Sequence, residues 1–157
     1  MASRPRLFWD TSAIVAAIMS PRTESATRQL LRLGEASVVD HRLSSHVLSE
    51  LEHVLGKRAP GAKADTALIL DQAQFVVVPE ADPGLAGECE AATRHRQDAR
   101  VLAAAVQCAA EVLVTLDAQH LLGNPRIGAM DPAIEVVAPG EALGFCRQRL
   151  LDTADEA

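Results

Sequence analysis

The spacing of short apolar runs constrains this chain most. Leu7–Trp9, Val38–Val39, Phe75–Val78 and Val112–Thr115 are continuous runs with no in-and-out alternation, and Ile134–Val137 is a fifth short run broken only by Glu135. A strand with one wet face alternates, whereas a strand covered on both faces does not. Stretches with helical periodicity lie between the runs. Ser12–Met19 and Thr23–Leu33 follow the first run, with Gly34 as the expected stop. Ser44 is the expected N-cap of a helix reaching Lys57, with Val47, Leu48, Leu51, Val54 and Leu55 on its apolar face. Ala62–Gln72 reads as another helix. A further helix opens at or near Asp98 and runs to Ala109, and the last, Gly140–Leu151, follows Pro139. Segment Glu80–Gln97 reads as a loop with room for one helix. Strands alternating with helices predict an α/β fold, a parallel sheet with helices on both faces.

The chain has 157 residues, which predicts a single domain over residues 1–151 and an acidic, frayed tail over 152–157. Hydrophobic residues make up 48% and charged residues 23%, a globular balance. The longest apolar run, Ala13–Met19, is far short of the ~20 residues a membrane span needs. Asp10 interrupts the early apolar stretch, so no secretory leader is expected. Cys89, Cys108 and Cys146 are odd in number and widely spaced, which suits reduced thiols in the cytoplasm. The net charge is −6 and aromatics are only 3%. Both numbers argue against a base-stacking platform and against a basic duplex-binding module.

The acids change that first impression. In open α/β sheets, ligands bind beyond the carboxyl ends of the strands. Asp10 directly follows the first apolar run, and Asp117 lies two residues after Thr115, at the end of the most apolar one. If those strands are neighbours, the two carboxylates meet. Asp98 opens the helix leading into the second of these strands, so it belongs to the same end. Glu50 lies one to two turns into the helix after Ser44, on a side different from Leu48 and Leu51. Taken singly, each acid reads as a cap or a turn residue. Four at one end repel one another and need a compensating cation. An all-oxygen cluster selects a hard ion, Mg2+ or Mn2+.

The strings FWDTSAIVAAI, LSSHVLSELEHVL, QDARVLAAAVQCAAEVLVTLDAQHLL and APGEALGFC resemble the PIN-domain nucleases, in particular VapC-like toxins and their bacterial relatives. That pattern is an Asp followed by Thr and Ser or Asn, a helical Glu before Leu, an Asp opening an Ala-rich helix, and a strand ending in Thr-x-Asp. Asp10 with Thr11 and Ser12, Glu50 with Leu51, Asp98, and Thr115 with Asp117 match it in order and spacing, from Leu7 to about Leu150. The resemblance implies a three-layer α/β/α fold with a five-stranded parallel sheet of order 3-2-1-4-5. Many relatives carry a second Asp just ahead of the helix-opening one. Here Arg94, His95, Arg96 and Gln97 stand there, a departure that bears on a second metal site and not on the tetrad.

The expected function is a metal-dependent ribonuclease, an endonuclease whose place in the cell is the toxin of a toxin–antitoxin pair. Asp10, Asp98 and Asp117 are the expected ligands of one or two Mg2+ or Mn2+ ions. Glu50 binds directly or through water and orients the nucleophile. Thr11, Ser12 and Thr115 would bond carboxylates or phosphate, with routine capping as the alternative. Arg96 and Arg100, with Arg94, would hold the phosphate backbone, with a solvated face as the alternative. His46 and His53 share a helical face with Glu50 and read as surface or groove residues. His95 and His120 read similarly, with substrate contact left open. Expected partners are RNA, a cognate antitoxin and a second copy of the chain, with no membrane; nothing in the residues marks an antitoxin groove. Two other readings compete. One is a non-catalytic PIN-like module that binds RNA or protein. The other is a phosphatase with Asp10 as nucleophile, weakened because Ser12 stands where that class wants a second Asp. Setting aside the four site acids and the tail acids Asp152, Asp155 and Glu156 leaves fourteen acids against fifteen bases. Net charge is therefore a poor guide to whether this chain meets phosphate.

Overall fold

A computed structural model describes residues 3–20, 22 and 24–157. Five strands form one parallel sheet: β1 (Arg6–Trp9), β2 (Asp40–Ser44), β3 (Val76–Val78), β4 (Val112–Val114) and β5 (Glu135–Val137). Their order is β3-β2-β1-β4-β5. β1 and β4 are therefore neighbours, with Trp9 in register with Val114. Leu7, Phe8 and Trp9 have no exposed surface, and neither have Val112, Leu113 and Val114. Consecutive strand residues face opposite ways, so full burial of each run means that both faces of the sheet centre are covered.

The covering helices are α1 (Thr11–Met19), α2 (Ala26–Glu35), α3 (Ser45–Arg58), α4 (Lys63–Gln72), α5 (Pro83–Thr93), α6 (Arg96–Gln107), α7 (Pro125–Met130) and α8 (Pro139–Glu156). Ser44 caps α3 as expected, its hydroxyl accepting from the Val47 N–H at 3.1 Å. The expected start of the second helix at Thr23 lies outside the described residues, as do residues 1 and 2 of the expected domain. α2 begins at Ala26 behind a Ser25 cap. No helix among the described residues is long and apolar enough to cross a membrane.

Several local expectations need correction. The second strand is Asp40–Ser44, not Val38–Val39. Its buried positions are His41, Leu43 and Ser44, while Asp40 and Arg42 pair with each other at the margin. Two polar residues among three buried ones hide this strand from an apolar-run search. The His41 ring is fully buried and satisfied at both nitrogens. Trp9 Nε1–H donates to Nδ1 at 2.9 Å, so Nε2 carries the proton and donates to the Leu30 carbonyl at 2.7 Å. Burial holds its pKa down at about 4.

Gly34 does not end α2. The helix continues to Glu35, and the left-handed residue that reverses the chain is Ser37, at φ 60°. Gly34 is needed for closeness instead, because a Cβ there would collide with the Ala73 carbonyl oxygen and the His41 ring. α5 fills the segment read as mostly loop, and α6 starts two residues before Asp98 with His95 as its cap. α7 has no counterpart among the helices expected from sequence because it spans fewer than two turns and shows no periodicity, only an Asn124-Pro125 start. α8 runs on through Glu156 as exposed helix, since no Gly or Pro follows Leu151 to stop it.

Candidate functional site

β1 and β4 end side by side, and the chain leaves each through a polar residue. Asp10 follows β1 and caps α1. It is 6% exposed, yet it takes three hydrogen bonds. Oδ1 accepts from the Thr11 N–H at 2.9 Å. Oδ2 accepts from Ser12 Oγ at 2.9 Å and Thr115 Oγ1 at 2.8 Å. Burial still raises its pKa above the ordinary carboxyl value; the three hydrogen bonds act against that rise, and the charge of Glu50 adds to it.

The hydroxyls also stitch the two strand ends together. Thr115 Oγ1 accepts from the Asp117 N–H at 3.0 Å, and Ser12 Oγ accepts from the Leu116 N–H at 3.1 Å. Thr11 Oγ1 donates across to Glu50 Oε2 on α3 at 3.0 Å. The donor hydrogens of Thr11, Ser12 and Thr115 all go to carboxylates. His46 Nε2 sits 2.7 Å from Glu50 Oε1, out of hydrogen-bonding alignment.

Asp98 enters from the first turn of α6, beside Asp117. Its pKa is pushed up to about 6, first by burial and then by the charge of Asp117; His95 opposes the rise and Asp10 adds to it. Asp10, Glu50, Asp98 and Asp117 are thus brought to one end of the sheet from four elements. Among the described residues, no lysine or arginine comes within ion-pair distance of any of them. Asp117 Oδ2 is buried and receives no protein N–H or O–H. Clustered carboxylates with an unsatisfied inward oxygen fit a hard divalent cation.

The arginines stand further out. Arg100 is engaged by Glu80, Nε to Oε1 at 2.5 Å, and by Gln97. Arg96 is exposed and makes no ion pair among the described residues. A groove of about 600 Å³ runs past Glu50, lined in part by His46, His53, Gln97 and Arg100.

Two groups at the centre have no role assigned from sequence. His95 and His120 stack with ring centroids 4.4 Å apart, and each places Nδ1 2.9 Å from Asp98 Oδ2. The mirrored spacings His95-x-x-Asp98 and Asp117-x-x-His120 were the available signal. Only the β1–β4 neighbourhood brings them together.

The PIN domain profile matches residues 6–119. No curated protein matches the sequence. Among solved structures, VapBC2 from Rickettsia felis, bound to a DNA fragment from its promoter, is similar with TM-score 0.60 and 17% identity, covering 85% of this chain and 98% of that one. PAE2754 from Pyrobaculum aerophilum is similar with TM-score 0.57 and 15% identity, covering 92% and 96%. VapC20 from Mycobacterium tuberculosis, a toxin that cleaves the sarcin-ricin loop, is similar with TM-score 0.51 and 22% identity, covering 80% and 95%. At these identities the structural neighbours speak for the shared fold. The profile match spans β1 through β4 and both strand ends that carry Asp10 and Asp117, so this chain belongs to the PIN-domain family.

Proposed function

We propose that this protein is a divalent-metal-dependent endoribonuclease and the toxin of a toxin–antitoxin pair. The observation that carries the reading is the convergence of Asp10, Glu50, Asp98 and Asp117 with no lysine or arginine among the described residues to neutralise them. Asp10, Asp98 and Asp117 would hold one or two Mg2+ or Mn2+ ions, with Glu50 at the margin. A bound ion would supply neutralisation of the phosphoryl oxygens and a more acidic water.

The chain's own residues do the rest. Thr11, Ser12 and Thr115 fix the carboxylates, so little reorganisation is left for the moment of reaction. Glu50 Oε2 is held by Thr11, which leaves a carboxylate beside the groove able to take a proton from water. Exposed Arg96 is available to phosphate, whereas Arg100 would first have to leave Glu80. RNA as substrate and an antitoxin as partner draw support from the VapC20 and VapBC2 similarities. A second copy of the chain and a cytoplasmic location belong to the same reading.

The test is cleavage of structured and single-stranded RNA by purified protein with Mg2+ or Mn2+. EDTA and Asp10→Asn each abolish cleavage on this reading. Cleavage that persists in the Asp10→Asn, Asp98→Asn double variant overturns it. A protein that neither cleaves RNA nor binds Mn2+, and is indifferent to Asp98→Ala, is a non-catalytic module.

A further inference from the structure

His95 and His120 form a second donor set on the edge of the carboxylate cluster. One ligand atom from each of His95, Asp98 and His120 lies within 4.8 Å of the other two. Both Nδ1 atoms face the same oxygen, Asp98 Oδ2, at 2.9 Å. His95 Nδ1 is also the cap of α6 and accepts from the Asp98 N–H at 3.3 Å. A nitrogen that accepts there presents no proton to the carboxylate oxygen beside it. Two lone-pair atoms at 2.9 Å repel unless a shared proton or a metal cation joins them. Asp117 Oδ2, buried without a protein donor, lies 3.7 Å from His120 Nδ1 and faces the same space. His95 is 45% exposed and His120 24%, so an ion can reach them from solvent.

Nitrogen donors change which ion such a site prefers. Mg2+ is a hard ion that takes oxygen and sheds water reluctantly. Imidazole suits first-row transition ions, with affinity rising from Mn2+ through Co2+ and Ni2+. We propose that His95 and His120 are metal ligands which, with Asp98, make this centre bind a nitrogen-accepting transition ion in preference to Mg2+. The inference rests on the nuclease reading only for the place of Asp98 among the metal-holding carboxylates.

The experiment is a titration of the metal-free full chain with Co2+, followed by visible absorption and by calorimetry, then challenged with Mg2+. The expected result is a Co2+ ligand-field band with nitrogen character that excess Mg2+ does not remove. The His95→Ala, His120→Ala double variant loses that band and binds Co2+ on the order of 100-fold more weakly, the upper end of what disturbing a metal site's supporting shell costs. His95→Asn keeps a good helix cap while withdrawing the ring, so its loss of Co2+ cannot be blamed on α6. His53→Ala, one turn from Glu50, keeps wild-type binding. Unchanged Co2+ affinity in the double variant, or displacement of Co2+ by equimolar Mg2+, overturns the inference. If Mg2+-supported RNA cleavage persists in that case, the nuclease reading stands alone. Co2+ bound through both histidines without cleavage of any RNA has the opposite meaning.

Discussion

His41 offers a measurement of how the centre of the sheet is held. Its ring is fully buried between β1 and α2, with a hydrogen bond at each nitrogen. Replacing it with Phe keeps the ring, which stacks on Phe75 with centroids 5.0 Å apart, and removes both bonds. The Trp9 N–H is then left buried and unpaired, and the Leu30 carbonyl keeps only its bond within α2. At about 1–3 kcal/mol for the orphaned donor, and less for the carbonyl that keeps its helical bond, His41→Phe should cost roughly 2–3 kcal/mol near pH 7.5.

That cost should depend on pH in a defined direction. The native ring resists protonation down to about pH 4, while in the unfolded chain it titrates near 6.5. Between those values the unfolded state binds the extra proton, so wild type loses stability as pH falls through this window and the His41→Phe variant does not. At 1.36 kcal/mol per pH unit, the loss from about pH 7.5 to about pH 4.5 is roughly 2.5 kcal/mol. The gap between the two proteins should therefore nearly close in acid. Urea unfolding read by fluorescence measures it directly, because Trp9 is the sole tryptophan and touches the mutated ring. A gap that stays constant across the range, or widens on acidification, refutes the assignment of a neutral buried His41. The difference between variants cancels the titration of every other group.

Three further outcomes follow from the same contacts. In chelator-treated protein, Asp98→Asn should raise the thermal midpoint above pH 6, because the native state there carries a charge it disfavours; the gain should fade as pH drops from about 6 toward 3.8, where the native carboxyl already holds its proton. A lowered midpoint at neutral pH in calorimetry would contradict it. Thr115→Val removes a donor to Asp10 Oδ2 and the acceptor for the Asp117 N–H, and should cost about 1–3 kcal/mol in urea unfolding while weakening Mn2+ binding by titration. Gly34→Ala should destabilise by about 1–3 kcal/mol through collision with Ala73 and His41, whereas Gly56→Ala on α3, where a Cβ meets open space, should stabilise by about 0.5–1 kcal/mol. Equal effects at the two glycines in parallel melts would remove the close-approach explanation.

The class of fold and the sheet's buried centre were legible in the amino-acid sequence. Runs such as Leu7–Trp9 and Val112–Thr115 are apolar at consecutive positions, and only a strand covered on both faces asks for that. Asp10, Asp98 and Asp117 were legible as strand-end and helix-start residues, and Glu50 as a polar position within the helix after Ser44, in a spacing that matched a known pattern. β2 was not, because its buried face is made with a histidine and a serine whose polarity is cancelled only by partners distant in sequence: Trp9 and Leu30 for His41. The short helix α7 carries no periodic stripe to read. The adjacency of β1 and β4 was implied by the family resemblance, but which side chains it brings into contact only tertiary structure decided. That adjacency turns Ser12 and Thr115 into clamps on Asp10, and sets Asp98 beside Asp117 at a raised pKa. It also stacks two histidines, 25 residues apart, on one carboxylate oxygen. Local pattern reports what each residue prefers, whereas strand order determines which preferences meet.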